Sequence, residues 1–161
     1  MDLDRFIESF SDGDVDCLRF AWNGEHGENL RDPNLELRRQ VVDRVLTEPN
    51  SASSELLRVL FEAETECAKE AWGVRRDLHL LAGALLKAGG RSTVKTFLIG
   101  RSMSMDTYIE CSQIRIDTSL ASDLAGYCRE WLEDCDTEAE TKLAQGGASL
   151  FESTATHEGD D

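Results

Sequence analysis

The sequence predicts an all-α fold, and three observations predict it. Leucine occurs 20 times and alanine 14, against 12 valines and isoleucines together. Leu and Ala lose little rotamer freedom in a helix, whereas β-branched side chains lose more. Apolar residues recur at i, i+3, i+4 and i+7 along most of the chain, the period of a half-buried helix. The only two prolines, Pro33 and Pro49, stand where a helix is absent or ending. With 161 residues and 40% hydrophobic content, the chain predicts one domain with a real core.

The elements follow in order. Asp2 to Phe10 reads as a short helix with Leu3, Phe6, Ile7 and Phe10 on one face, broken by Ser11-Asp12-Gly13. Asp14 to Trp22 reads as a second helix that buries Val15, Leu18, Ala21 and Trp22. Asn23 to Pro33 is polar and glycine-bearing, hence a loop. Asn34 is the expected cap of a helix to about Leu46. After the turn at Pro49-Asn50-Ser51, a long helix runs from Ser53 or Ser54 through Trp72 and stops at Gly73.

Arg76 to Lys87 carries a wide apolar stripe, Leu78, Leu81, Ala82, Leu85 and Leu86. Gly89-Gly90 stops it, and Ser92 opens a helix to about Gly100. Ser104 caps a segment through Cys111 or Ile114, and Ile114-Arg115-Ile116 alternates as extended chain would. Thr118 or Ser119 opens the best amphipathic helix, with Leu120, Leu124, Tyr127, Cys128, Trp131, Leu132 and Cys135 on one face. The expected domain covers residues 1–135. Residues 136–161 read as an acidic, partly disordered tail: a polar helix at Thr137–Gln145, then a segment too poor in large apolar residues to offset its ordering entropy. Seven or eight short antiparallel helices in an irregular helical-repeat stack or a bundle are thus expected.

The net charge of −15 is uneven. Residues 1–28 and residues 136–161 each carry −6, and the 107 between them only −3. Phosphate-directed nucleic-acid binding needs clustered cations and is not expected. No apolar run approaches the roughly 18 residues of a membrane span, and the N-terminus opens acidic, without the features of a secretory signal. Five cysteines without a C-x-x-C pair fit reduced, mostly buried thiols. A soluble cytoplasmic domain is the expectation.

Chemistry-bearing motifs fail at required positions. Asp12, Asp14 and Asp16 imitate a calcium loop, but Cys17 stands where glycine is needed and Asn23 where glutamate is needed. No Glu-x-x-His occurs, no histidine pair has zinc spacing with cysteine, and Gly89-Gly90-Arg91-Ser92-Thr93 lacks the phosphate-loop lysine. The sequence therefore indicates no catalytic residues, no metal and no cofactor. His79, between Leu78 and Leu80, reads as a core-edge histidine.

Two stretches stand out as candidate partner-binding residues. Glu62, Glu66 and Glu70 line one face of the long helix. Met103, Met105, Asp106 and Tyr108 cluster adaptable apolar area near charge. Ser104 with Thr107 lacks the glutamate of a capping box, so Asp106 is expected to act there only as an early-turn carboxylate.

The span 76–134 resembles small all-helical, HEAT-like repeat proteins of bacteria, some of the immunity-protein type. The residues that carry the resemblance are Leu81-Ala82-Gly83-Ala84-Leu85-Leu86, a turn, Val94 to Leu98, and Ser104-x-Asp106-Thr107-Tyr108-x-x-Cys111. It covers roughly a third of the chain and nothing of residues 1–50. It implies a non-enzyme that works by protein–protein contact, as immunity proteins that neutralise toxins do. The expectation is therefore an interaction protein with an acidic surface for a basic partner. The alternative is a small helical enzyme drawing acids such as Glu62, Glu66 or Asp106 from several helices.

Overall fold

The computed structural model describes residues 2–156. Among them are eight α-helices and no strand: α1 Leu3–Glu8, α2 Leu35–Thr47, α3 Ser54–Ala71, α4 Leu78–Gly89, α5 Val94–Arg101, α6 Met105–Cys111, α7 Thr118–Glu133 and α8 Glu138–Thr156. Short 3₁₀ turns at Asp12–Cys17, Gly27–Asn29, Pro49–Ser51 and Gly90–Thr93 join several of them.

Helix α3 is the spine. Leu56, Leu57, Leu60 and Phe61 are fully buried on it, and α4, α5 and α6 pack around it. Its N-terminus is set by Ser53, whose hydroxyl accepts from the Leu56 N–H at 3.1 Å. Gly100 on α5 lets that helix approach closely: a Cβ there would stand 2.5 Å from the Phe61 ring. The extended link to α7 buries Ile114 and Ile116, as the alternation predicts. Helix α7 opens at Thr118, as expected, and Asp117 caps it by accepting from Leu120 N–H at 2.8 Å.

Three expectations need correction. The helix expected at Asp14–Trp22 is a 3₁₀ turn followed by irregular chain, and Trp22 is exposed. The carbonyls that a helix would use are taken by side chains: Asn34 Nδ2 donates to Asp16 O and Arg19 O, and Arg38 Nη1 donates to Leu18 O. Asn34 therefore anchors a loop and does not cap α2 through its side chain.

The expected tail is the second correction. Residues 138–156 form α8, which packs along α7 and against α5 and buries Ala144, Gly147, Leu150 and Phe151. Its apolar stripe was diluted by glycines that serve contact: a Cβ at Gly147 would meet Leu98 at 2.6 Å and Cys128 Sγ at 2.8 Å. One core cluster runs from Ile7 to Phe151, so the helical body extends beyond 135. Residues 157–161, including His157, lie outside the described residues.

The third correction concerns the start of α6. Thr107 fills the role that a glutamate would have: its hydroxyl accepts from Ser104 N–H at 2.9 Å, while Ser104 Oγ accepts from Thr107 N–H at 3.1 Å.

Candidate interaction surface

The structure brings some of the sequence-selected residues together. Glu62 and Glu66 form a ridge on α3 between two depressions. The larger, about 310 Å³, is bounded by Arg19, Phe20 and Arg58, and the smaller, about 150 Å³, by Ile99 and Met103. Met103 is thus a neighbour of the two glutamates. Glu62 is held by Arg58 Nη1, 2.8 and 2.9 Å from its two oxygens, while the same guanidinium holds Glu55. Burial, and then the charge of Glu62, push the Glu66 carboxyl above the usual carboxylate range.

Glu70 leaves this strip. Its carboxylate turns to His26 Nδ1, 2.9 Å away, and is mostly covered. The expected row of three glutamates is therefore a pair, with the third drawn into a different cluster.

Helix α6 has two faces. Thr107 and Cys111 point inward, and burial pushes the Cys111 thiol up to about 12. Met105, Tyr108 and Ile109, spaced i, i+3 and i+4, share the outer face and are 72%, 47% and 56% exposed. Asp106 is also exposed beside them. The Tyr108 ring lies over the Arg101 guanidinium at 3.8 Å, a cation–π contact that fixes the ring without burying it. At the helix's inner edge, Glu110 Oε1 sits 2.7 Å from His79 Nδ1, tying α6 to α4. His79 is thus the half-buried core-edge histidine that its apolar neighbours predict.

Sequence reasoning missed two clusters because their members are far apart in the chain. At the C-terminus of α3, Trp72 takes the left-handed conformation, φ 55°, and is 73% exposed. The His26 ring stacks on it at 5.8 Å and meets the Trp22 ring at a tilt, 5.2 Å between centroids. Gly27, φ 55°, is required there, since a Cβ would meet the Trp72 ring at 3.0 Å. Deeper, Arg38 is fully buried between Asp32 and Glu64, with Nε donating to Glu64 at 2.6 Å. Its Nη2 lies 2.8 Å from Asp32 Oδ2 as an ion pair without hydrogen-bond alignment. Burial opposes the Arg38 charge, but Glu64 and Asp32 outweigh that and raise its pKa.

Among the described residues, no three His, Cys, Asp or Glu side chains gather as a metal site. No described helix is long and apolar enough to cross a membrane. Comparison with family models, curated proteins and solved structures finds no match for the chain.

Proposed function

We propose that this is a non-catalytic protein–protein interaction protein that acts in the cytoplasm and binds a basic partner through the α5–α6 surface. One observation carries the reading: Met105, Tyr108 and Ile109 stand exposed on one helical face, with Asp106 beside them. Ile99 and Met103 on the neighbouring segment border Glu62 and Glu66. Interfaces place apolar and aromatic anchors centrally and charge at the rim. The overall charge of −15 favours encounter with a cationic partner. The most concrete form is a bacterial immunity protein neutralising a toxin.

A small helical enzyme would be favoured by a buried carboxylate pair facing a closed cavity. The buried carboxylates here, Asp32 and Glu64, are instead bridged by Arg38, and Glu62 and Glu66 border open depressions. The test is capture by the tagged full chain from cells of its source, with wild type compared against Met105→Asp/Ile109→Asp. A basic protein retained by wild type, lost in the double variant and weakened by salt supports the reading. Equal capture by both forms, with unchanged melting, contradicts it.

A further inference from the structure

Among the described residues, five arginines each hold two carboxylates: Arg38, Arg44, Arg58, Arg75 and Arg91. Arg101 differs from these five. It is only 7% exposed, yet among the described residues no carboxylate lies within ion-pair distance of it. Its Nε and Nη2 donate to one neutral acceptor, Ser112 Oγ, at 3.3 and 3.1 Å. A buried cation without an anion is costly, and the Tyr108 ring over the guanidinium offsets that cost only in part.

The remaining nitrogen, Nη1, makes no hydrogen bond within the described residues. It is not sealed off: the only unbonded side-chain atoms fully shut from solvent there are Asp32 Oδ2 and Arg38 Nη2. Nη1 faces Gly146, where a Cβ would stand 3.9 Å away. Both residues wall a cleft of about 450 Å³ between α5, α6 and α8, a volume typical of small-molecule sites. The rest of the wall includes Leu98, Ala139 and Leu143, with Lys142 at the margin. Lys142 already pairs with Glu138 at 2.7 Å, so Arg101 is the cation on this wall with no acid partner among the described residues.

We propose that this cleft binds a small carboxylate carried on an apolar body, with the carboxylate on Arg101 Nη1 and the hydrocarbon along Leu98, Ala139 and Leu143. A guanidinium corner presents two N–H donors, which suits one carboxylate. A polyanion would meet a single cation in a strongly acidic molecule, so a monoanion fits better. The apolar wall requires a chain or ring beyond the charged group. The site is separate from the partner surface proposed above, although Tyr108 borders both.

The test uses decanoate on the full chain, by titration calorimetry below its micellar concentration together with amide chemical-shift mapping. The expected result is saturable one-to-one binding with shifts at Leu98, Arg101, Leu143 and Gly146. Decanol and decyltrimethylammonium should bind at least about tenfold more weakly, the loss expected for a charge-assisted hydrogen bond. Arg101→Gln should lose a similar factor. Gly146→Leu, which fills the cleft from a half-buried wall and leaves Arg101 in place, should abolish the shifts. Equal binding of decyltrimethylammonium, or decanoate binding unchanged in Gly146→Leu, overturns the proposal. Should Arg101→Gln not fold, Gly146→Leu and the head-group series still decide it.

Discussion

The segment from Leu18 to Asn34 and the α7–α8 hairpin are both fixed to the rest of the molecule, by opposite means. The segment contains no α-helix and is held by polar side chains. Asp32 Oδ1 accepts from Ala21 N–H at 3.2 Å and Asn34 N–H at 3.0 Å, and Arg38 reaches the Leu18 carbonyl from α2. The hairpin is held by close apolar contact, with Gly147 against Leu98 and Cys128, and Phe151 against Phe97 at a ring distance of 5.9 Å. A region held by a buried charge network depends on every member being present, since each charge left unpaired in the interior is costly. A region held by packing loses stability in proportion to the volume removed or added.

The largest effect expected from this contrast is at Arg38. Arg38→Met leaves Asp32 and Glu64 buried without a cation and should cost about 3–5 kcal/mol, read by urea unfolding. Adding Glu64→Gln should recover part of that loss, because one buried charge then remains instead of two. A loss below about 1 kcal/mol would show that the network is not what holds the segment.

On the hairpin, Phe151→Ala should cost about 3–5 kcal/mol, the usual range for a fully buried phenylalanine. An unaffected midpoint would return residues 138–156 to the status of a tail. Gly147→Ala sharpens the same point. In an open helix the change gains about 1 kcal/mol, whereas here the crowded Cβ should reverse the sign and cost about 1–3 kcal/mol. Thermal melting distinguishes the two signs.

The smallest expected effect is a difference in thiol reactivity. Burial raises the Cys128 thiol in the hairpin from the usual 9.0 to about 11. Cys17 in the N-terminal region is also raised, by burial and by Asp14, but is half-exposed. Since the thiolate is the nucleophile, alkylation at pH 8.5 should label Cys17 before Cys128, which reacts only on unfolding. A raised folded-state pKa favours the fold fully below the ordinary thiol value. That contribution of Cys128 fades as pH rises from there through about 11. Labelling of Cys128 in the native state at the rate of Cys17 would place the α7–α8 seam open to solvent.

The sequence reveals these regions unequally, and for physical reasons. Helices α2 to α5 and α7 are visible because each carries an apolar stripe, such as Leu78, Leu81, Leu85 and Leu86 on α4, between recognisable stops, whereas α6 is announced by Ser104 at its start. Residues 14–22 look helical in sequence because Val15, Leu18 and Trp22 have helical spacing, while the competing donors to their carbonyls, Asn34 and Arg38, lie well downstream. Helix α8 is faint in the sequence because Ala144, Gly147 and Ala148 bury little area of their own; they matter for what they let approach. At the surface, the Met105–Tyr108 stretch is legible as a helical face, but Glu70 is not. Its diversion to His26 depends on the left-handed Trp72 at the end of α3, which no local pattern announces.

A second contrast bears on function, because the N-terminal segment and α6 each present an exposed aromatic side chain, Trp22 and Tyr108. The α6 face is the proposed contact surface, whereas the Trp22–His26–Trp72 cluster is tied to the polar N-terminal segment. Hydrogen exchange on the full chain, free and in the complex isolated by the capture experiment, separates them most directly. The account predicts slowed exchange in the complex over α5 and α6 and around Glu62 and Glu66, with residues 22–29 unchanged. Protection centred on Trp22, His26 and Trp72, with α6 exchanging as in the free chain, would contradict it.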